Sequence, residues 1–215
     1  MNNYNIILSY NKKIEEKMEH FYKNIGEDWF TYPDLYSSMV NKHLNNGGHF
    51  VEVGSWKGRS ASFMAVEIYN SKCKDIIKFD CVDTWKGSIE HQDMDIIKED
   101  SLYKTFLENI QPVIDIINPI RKTSLEASQM YEDNTLDFVF LDASHEYSDV
   151  IDDIKSWLPK IKNNGILAGH DYGRGDVNKA VNDYFKNQKF IVSEDCWIYE
   201  KNEKSIHVLN GNCGD

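Results

Sequence analysis

Four residues in the second half of the chain have the types needed for proton transfer and cation binding. Asp142 ends one apolar segment, His145 follows three residues later, and His170 and Asp171 end the next apolar segment. Carboxylates and imidazoles that converge can hold a divalent metal, and a histidine can take a proton from a hydroxyl near neutral pH. Any one of these residues alone would more simply cap a turn or helix. Together, at the ends of neighbouring segments, they favour a functional site.

A glycine-containing turn ends an earlier apolar segment, in the stretch VEVGSWKGRS. Gly54 and Gly58 tolerate unusual backbone dihedrals and let a ligand come close to the backbone. A second apolar segment ends in Asp83, 25 residues after Gly58. An acid at the end of the second strand binds a ribose in dinucleotide folds. The two features predict a nucleotide-type cofactor that lies across the ends of two parallel strands.

The spacing of the glycines in this turn indicates which of two kinds of cofactor, a dinucleotide or S-adenosylmethionine, is bound. A dinucleotide site has the pattern Gly-x-Gly-x-x-Gly, which leaves room for a pyrophosphate. Here Trp56 replaces the second glycine, and Glu52 brings a negative charge close to the turn. S-adenosylmethionine carries no phosphate and ends in an ammonium group, so it suits this turn better than NAD does. A tight strand-to-helix turn without a ligand is the simpler alternative, and Asp83 argues against it.

The elements that position these residues alternate between strand-like and helix-like segments from residue 49 onward. Such alternation predicts a parallel sheet with helices on both faces. The predicted strands are residues 50–53, 76–82, 113–119, 136–141, 166–168, 190–192 and 197–200, and the predicted helices include residues 14–25, 34–44 and 176–188. A turn is predicted at 163–165. The segment 86–100 either covers the carboxyl ends of the strands, where ligands bind in such sheets, or is a solvated acidic loop.

Composition indicates one packed domain with an N-terminal attachment. The chain has 215 residues, 41% of them hydrophobic, and a formal net charge of -11. That charge argues against a nucleic acid or an anionic membrane as the main partner. The four cysteines form no C-x-x-C pair, and no apolar leader or membrane-length apolar run is seen, so a cytoplasmic location is expected. We interpret residues 1–46 as a helical cap and residues 47–215 as the cofactor-binding domain.

The stretches VEVGSWKGRSA, CVDTW, LDFVFLDASHEYSDVIDDIKSWLPKIKNNGILAGHDY and DVNKAVNDYF resemble class I S-adenosylmethionine-dependent methyltransferases. They look most similar to the group that contains the macrolide sugar O-methyltransferases and the cephalosporin hydroxylase-associated protein. The resemblance covers residues 47–200. It implies an α/β, Rossmann-like, seven-stranded and mostly parallel sheet flanked by helices, with a final antiparallel strand.

The same resemblance implies roles for individual residues along the cofactor. Residues that would line its methionine end are Glu52, Gly54, Ser55 and Ser60. Asp83 would hold the ribose with Trp85 close to it, and Ser124 would lie near the adenine.

Metal-dependent relatives bind magnesium through three acids, which match Asp142, His170 and Asp171. The histidine is a departure that suits manganese or another transition metal better than magnesium, and it leaves open that no metal is needed. Relatives with a histidine at the position of His145 use it as the general base. Without a metal, Asp142 would orient His145 or His170.

The predicted activity is an O-methyltransferase that acts on a hydroxyl of a small molecule or sugar, with or without a divalent metal. Three alternatives remain open: a metal-independent enzyme that relies on a histidine base, an inactive cofactor-binding subunit, and an NAD-type oxidoreductase. The acceptor and the oligomeric state, including a homo-oligomer, are not determined by the sequence.

Overall fold

The computed structural model describes residues 17–202, and these form a single seven-stranded sheet with helices on both faces. The strand order is β3-β2-β1-β4-β5-β7-β6. The strands are β1 (Gly48–Val53), β2 (Ile77–Asp83), β3 (Ile117–Arg121), β4 (Leu136–Leu141), β5 (Ile161–Gly169), β6 (Ile191–Ser193) and β7 (Cys196–Glu200). Strands β1 to β5 are parallel, whereas β7 runs antiparallel to both β5 and β6. The predicted sheet, with its antiparallel final strand, is confirmed.

The helices divide between the two faces of the sheet. They are α1 (Pro33–Lys42), α2 (Arg59–Asn70), α3 (Asp95–Lys98), α4 (Leu102–Asn109), α5 (Ser124–Ser128), α6 (Tyr147–Trp157) and α7 (Gly175–Phe185). Helices α1, α2 and α4 contribute to one apolar core, and α5, α6 and α7 contribute to the other. The inner strands supply apolar side chains to both cores, as strands covered on both faces do.

The chain reverses its direction of travel across the sheet between β1 and β4. From β1 it moves outward through β2 to β3, and then it returns to place β4 on the other side of β1. Ligands of open α/β sheets bind outside the carboxyl ends of the strands at such a switch point. Val53, Asp83, Leu141 and Gly169 end the four strands nearest to it.

Two predicted elements differ from those observed. The strand predicted at 113–119 starts later, at Ile117, because a short 3-10 helix around Pro112 (Gln111–Val113) comes first. The turn predicted at 163–165 is an irregularity within β5, where the register with β4 shifts and Asn164 has a φ of 64°. Its amide donates to the carbonyl of Lys201, so the extended chain continues through the turn residues.

The helix predicted at 14–25 lies partly outside the described residues. From residue 17 onward its only helical turn is a 3-10 helix, Tyr22–Asn24. Asn70 of α2 accepts from the Met18 amide at 2.8 Å and donates to the Met18 carbonyl at 2.9 Å. These contacts to α2 replace the backbone bonds that a local helix would make. The second predicted helix, 34–44, is observed as α1, with Pro33 in its first turn where proline is well tolerated.

Candidate functional site

A cavity of about 790 Å³ opens at the carboxyl ends of the central strands. Ligand pockets usually measure about 300–1,000 Å³. Its walls come from the turns after β1, β2, β4 and β5, from the segment after β2, and from residues 28–31 before α1. The segment 86–100 therefore lies over the strand ends, as one of the two alternatives predicted. Of the predicted site residues, the cavity is lined by Gly54, Asp83, Ser124, Asp142, His145, His170 and Asp171.

The glycine turn after β1 is shaped by contacts inside the protein. Gly54 has a φ of 93°, and a Cβ atom there would lie 1.9 Å from the carbonyl oxygen of Asp142. Gly58 has a φ of 85°, and a Cβ atom would meet Ile110 at 2.8 Å. The glycines were expected to admit a ligand. The structure shows that they also admit the backbone after β4 and the packing of α4 against the turn.

Asp83 organises the same turn from the end of β2. Its Oδ2 accepts from the Trp56 amide at 2.8 Å, and its Oδ1 accepts from the Trp85 amide at 2.7 Å. Burial raises the pKa of Asp83, and these backbone N–H donors partly offset the effect. Each oxygen keeps a further lone pair for a ligand. The carboxylate is thus fixed at the cavity wall with both oxygens oriented.

Glu52, Ser55, Ser60 and Trp85 are not among the residues that line the cavity. The indole of Trp85 is buried against Tyr103 and Phe106, and its Nε1 donates to the Trp56 carbonyl at 2.9 Å. Trp85 reaches the site through its amide, which fixes Asp83.

Ser124 lies at the cavity wall, at the start of α5, and its hydroxyl is already engaged. It donates to Asp153 and accepts from the Trp157 indole at 2.8 Å. Burial raises the pKa of Asp153 to about 6, although the Ser124 bond opposes this. A ligand near Ser124 would therefore meet its backbone and Cβ more readily than its hydroxyl proton.

Glu52 lies beneath the glycine turn and is only 1% exposed. Its Oε2 accepts from the Tyr36 hydroxyl at 2.7 Å. Burial raises the pKa of Glu52 to about 7, against the opposing effect of hydroxyl donors, of which Tyr36 is the strongest. Its Oε1 and the Ser55 hydroxyl form no well-aligned hydrogen bond among the described residues, although the Ser55 and Ser60 hydroxyls lie close enough to lower the pKa of Glu52. A buried carboxylate of this kind is suited to a cationic group of a ligand.

Asp142, His170 and Asp171 come together as the sequence predicted. One ligand atom from each lies within 4.8 Å of the others, and two ligands of one ion are typically separated by no more than about 4–5 Å. Two carboxylates and an imidazole form a donor set that divalent transition ions accept. The residues therefore fit a metal.

His170 also bridges the two acids without an ion. Its Nδ1 lies 3.7 Å from Asp142 Oδ1 and 3.5 Å from Asp171 Oδ2. Burial lowers the pKa of His170, but the two carboxylates outweigh it and raise the pKa to about 10. Its Nε2 contacts the Thr31 hydroxyl at 3.0 Å. A protonated His170 can thus take the place of a cation between the acids.

His145 contacts Asp171, whereas Asp142 contacts His170, the second of the two histidines that it was predicted to orient. His145 Nε2 lies 2.8 Å from Asp171 Oδ2, while Nδ1 lies 2.9 Å from Glu90 and 3.0 Å from an Arg174 nitrogen. Arginine only donates, so Nδ1 either accepts from Arg174 or, when protonated, donates to Glu90. Burial lowers the pKa of His145, and the Asp171 contact outweighs it and raises the pKa.

Sequence patterns missed several residues at the site. Thr31, Tyr32, Glu90 and Arg174 contact its acids and histidines. The first two precede α1, more than a hundred residues from their partners, and no spacing rule links them. A sequence signal existed for Glu90, which lies in the segment 86–100 expected over the strand ends, and for Arg174, which follows Asp171 by three residues.

Comparison with known proteins agrees with this fold. Residues 51–172, more than half of the chain, match the family described as a methyltransferase domain. Among curated proteins, the uncharacterized protein y4gI of Sinorhizobium fredii (strain NBRC 101917 / NGR234) is 31% identical over 90 residues, which is 42% of this chain and 10% of that protein. The chain thus matches about a tenth of the length of this curated relative.

Solved structures share the architecture at low sequence identity. The O-methyltransferase NovP has a TM-score of 0.62 at 17% identity, covering 80% of this chain and 79% of that chain. A putative caffeoyl-CoA O-methyltransferase from Staphylococcus aureus has a TM-score of 0.56 at 15% identity, covering 82% and 85%. Cofactor-bound Rv0187 from MTB has a TM-score of 0.57 at 9% identity, covering 82% and 84%. Within residues 17–202, no helix has the length and apolarity to cross a bilayer.

Proposed function

The chain belongs to the methyltransferase domain family, and on that premise we propose that it transfers a methyl group from S-adenosylmethionine to a hydroxyl oxygen of a small molecule or sugar. The observation that carries the proposal is that one cavity holds both sets of predicted residues. Asp83 and Gly54 line it together with Asp142, His145, His170 and Asp171. A cofactor and an acceptor can therefore meet within it.

The cofactor side offers a hydrogen-bonding and charge pattern that suits S-adenosylmethionine. Asp83 offers carboxylate oxygens to the ribose hydroxyls, and the buried Glu52 offers a carboxylate to the ammonium end. Gly54 and Ser60 belong to the same turn and helix start, and Ser124 lies at the wall assigned to the adenine. When bound, the cofactor supplies an electrophilic methyl group on a sulfonium.

The acceptor side supplies a base and an orienting acid. Asp171 contacts His145 at Nε2, and Nδ1 would remove the proton from the acceptor hydroxyl once the acceptor displaces the contacts of this nitrogen to Glu90 and Arg174. A positioned base of this kind typically contributes about 10²–10⁴-fold. The acceptor oxygen would then form its bond to the methyl carbon as the bond from that carbon to sulfur breaks, which leaves S-adenosylhomocysteine, and His145 would keep the proton until it passes to solvent. The rest of the rate comes from proximity and orientation within the cavity.

Asp142, His170 and Asp171 are the residues that would hold a divalent ion. Such an ion would lower the pKa of a bound hydroxyl, and the imidazole favours manganese over magnesium. The bridging contact of His170 to both acids supports a second version of the activity, in which no metal is needed. Exhaustive chelation separates the two versions: lost turnover that Mn²⁺ restores supports the metal, and full turnover argues for histidine alone.

Calorimetric titration tests the proposal directly. We expect S-adenosylmethionine to bind and NAD not to bind. Asp83→Asn should weaken binding of S-adenosylmethionine by about 1.5–3 kcal/mol, the range for a hydrogen bond to a charged group. Asp75→Asn, an exposed acid before β2, is the control. Binding of NAD instead would indicate an oxidoreductase, and binding of S-adenosylmethionine without transfer to any acceptor would favour an inactive partner subunit.

The domain assignment is also a proposal. Residues 47–215 would form the methyltransferase domain, and residues 1–46 would complete the acceptor side of its cavity. Asp28, Trp29 and Thr31 line that cavity, which supports a role for the N-terminal segment in acceptor binding.

A further inference from the structure

Two buried tyrosines at the start of α1 each bond a different acid of the site. Tyr32 is 2% exposed and Tyr36 is 0% exposed. The Tyr32 hydroxyl donates to Asp142 Oδ2 at 3.0 Å, and the Tyr36 hydroxyl donates to Glu52 Oε2 at 2.7 Å. Residues four apart lie on the same helical face, so one turn of chain reaches both β1 and the end of β4.

The packing of both rings leaves the hydroxyl groups little freedom. The Tyr32 ring lies 4.4 Å from that of Phe140, and the Tyr36 ring lies 5.2 Å from the same ring. Each hydroxyl donates to a carboxylate oxygen, so each phenol acts as a fixed donor.

We propose that these tyrosines are positioning residues with separate duties: Tyr36 prepares Glu52 for the ammonium end of the cofactor, and Tyr32 prepares Asp142 to bind a divalent cation. The inference rests on the proposed function and extends it to the N-terminal segment. It assigns Glu52 and Asp142 to two residues of one helical turn.

The case for Tyr36 follows from the surroundings of Glu52. Tyr36 occupies Oε2, while Oε1 remains without a hydrogen bond of normal geometry among the described residues. The phenol offsets part of the effect of burial on this carboxyl group. Without that donor, Glu52 would bind a proton more tightly and would lose the charge that attracts an ammonium group.

The case for Tyr32 follows from the two oxygens of Asp142. Tyr32 occupies Oδ2, so Oδ1 is the oxygen that faces His170. Thr31, the preceding residue, contacts Nε2 of the same histidine and leaves Nδ1 facing the acids. Partners that orient metal ligands typically change metal affinity by about 10–100-fold when they are removed.

Two isosteric variants, Tyr32→Phe and Tyr36→Phe, test this division of roles. Mn²⁺ binding is followed by the electron paramagnetic resonance signal of the free ion, and S-adenosylmethionine binding is followed by calorimetry at pH 7. Tyr32→Phe should weaken Mn²⁺ binding by about tenfold or more and change cofactor affinity less than about twofold. Tyr36→Phe should weaken cofactor binding by about tenfold or more and leave Mn²⁺ binding within about twofold. Each variant is the control for the other.

Double variants separate positioning from general loss of structure. Adding Tyr36→Phe to Glu52→Gln should cause no further loss of cofactor affinity, and adding Tyr32→Phe to Asp142→Asn should cause no further loss of Mn²⁺ affinity. Equal losses of both ligands in both single variants, or additive losses in the double variants, would overturn the inference. Failure of the unaltered protein to bind Mn²⁺ would overturn the role of Tyr32 alone. Failure to bind S-adenosylmethionine would contradict the proposed function itself.

Discussion

Asp171 is the carboxylate that contacts most of the basic side chains at the site. It contacts His145, His170 and Arg174. Burial would raise its pKa, but hydrogen bonds from the two histidines outweigh it and hold the pKa far below the usual range. Asp171 is therefore ionised near neutral pH, where it can orient His145.

Substitution of His145 should separate chemistry from binding. His145→Gln is expected to lower turnover by about 10²–10⁴-fold, because the base is lost, and to leave affinity for S-adenosylmethionine unchanged. His20→Gln is the matched control, since His20 stacks on Phe63 on a different part of the surface. Steady-state rates and calorimetry are the measurements. Turnover close to that of the unaltered protein would remove His145 from the mechanism.

The raised pKa of Glu52 leads us to expect that the affinity for the cofactor depends on pH. Its pKa of about 7 in the folded protein lies above the ordinary 4.5, so it binds a proton as pH falls below 7. The ammonium group of the cofactor binds to the ionised Glu52 carboxylate, so a proton on Glu52 must leave before the cofactor binds. Affinity for S-adenosylmethionine should therefore fall by about tenfold between pH 7 and pH 5.5, where the cofactor's own amino group stays charged.

The matched variant for this prediction is Glu52→Gln, which keeps the shape but cannot ionise. Its cofactor affinity should be weak and nearly independent of pH over the same interval. Calorimetric titrations at both pH values measure the difference. A parallel fall in the variant and in the unaltered protein would assign the pH dependence to another group.

At the scale of elements, α1 belongs to the core as much as to the site. Tyr36, Met39 and Val40 are buried in the same cluster as Phe50 of β1 and Phe138 of β4. The sequence suggested an appended cap, from which one expects a removable element. The structure shows that α1 packs on α2 and covers apolar side chains from the sheet.

We therefore expect removal of residues 1–44 to prevent stable folding, and not only to abolish activity. The truncated protein would expose the apolar surface under α1, and each large buried side chain contributes about 1.5–3 kcal/mol. We expect no cooperative thermal unfolding and strong binding of a hydrophobic dye. A truncated protein that unfolds cooperatively and binds S-adenosylmethionine normally would restore the interpretation of this segment as a cap.

Across the whole molecule, a polar network joins three parallel strands well away from the cavity. Asp80 of β2 accepts from His49 of β1 at 2.6 Å, from Asn118 of β3 at 2.9 Å and from Tyr131 at 2.7 Å. Burial would raise the pKa of Asp80, but these donors outweigh it and lower the pKa below the ordinary 3.8. The network therefore stabilises the fold in the ionised state of Asp80.

The sign of the pH effect follows from that shift. Because the folded pKa lies below the unfolded one, this contribution is fully present above pH 3.8 and is lost as pH falls through the folded value. Asp80→Asn should lower the free energy of unfolding by about 1–3 kcal/mol at pH 7, and by less near pH 3.5. Urea unfolding at both pH values measures the difference, with Asp75→Asn as control. A deficit of equal size at both pH values would show that the charge is not the cause.

The sequence by itself determined the sheet and the rim on which the chemistry lies. Apolar segments that end in Asp83, Asp142 and His170 predicted parallel strands, and all three residues line one cavity. The prediction succeeded because the carboxyl ends of parallel neighbours share one edge of a sheet. Strand ends are local features that hydrophobic patterns reveal.

Only the tertiary structure decided how these residues are held and which side chains complete the site. Tyr32 and Asp142 are 110 residues apart, and Glu90 and His145 are 55 apart, so no local pattern could pair them. Trp85 was expected near the ribose, and the structure adds that its indole is buried in the core while its amide donates to Asp83. Side-chain directions and contacts between distant segments arise from packing of the whole chain. Sequence spacing could therefore predict which strand ends carry the site residues, but not the side chains that orient those residues.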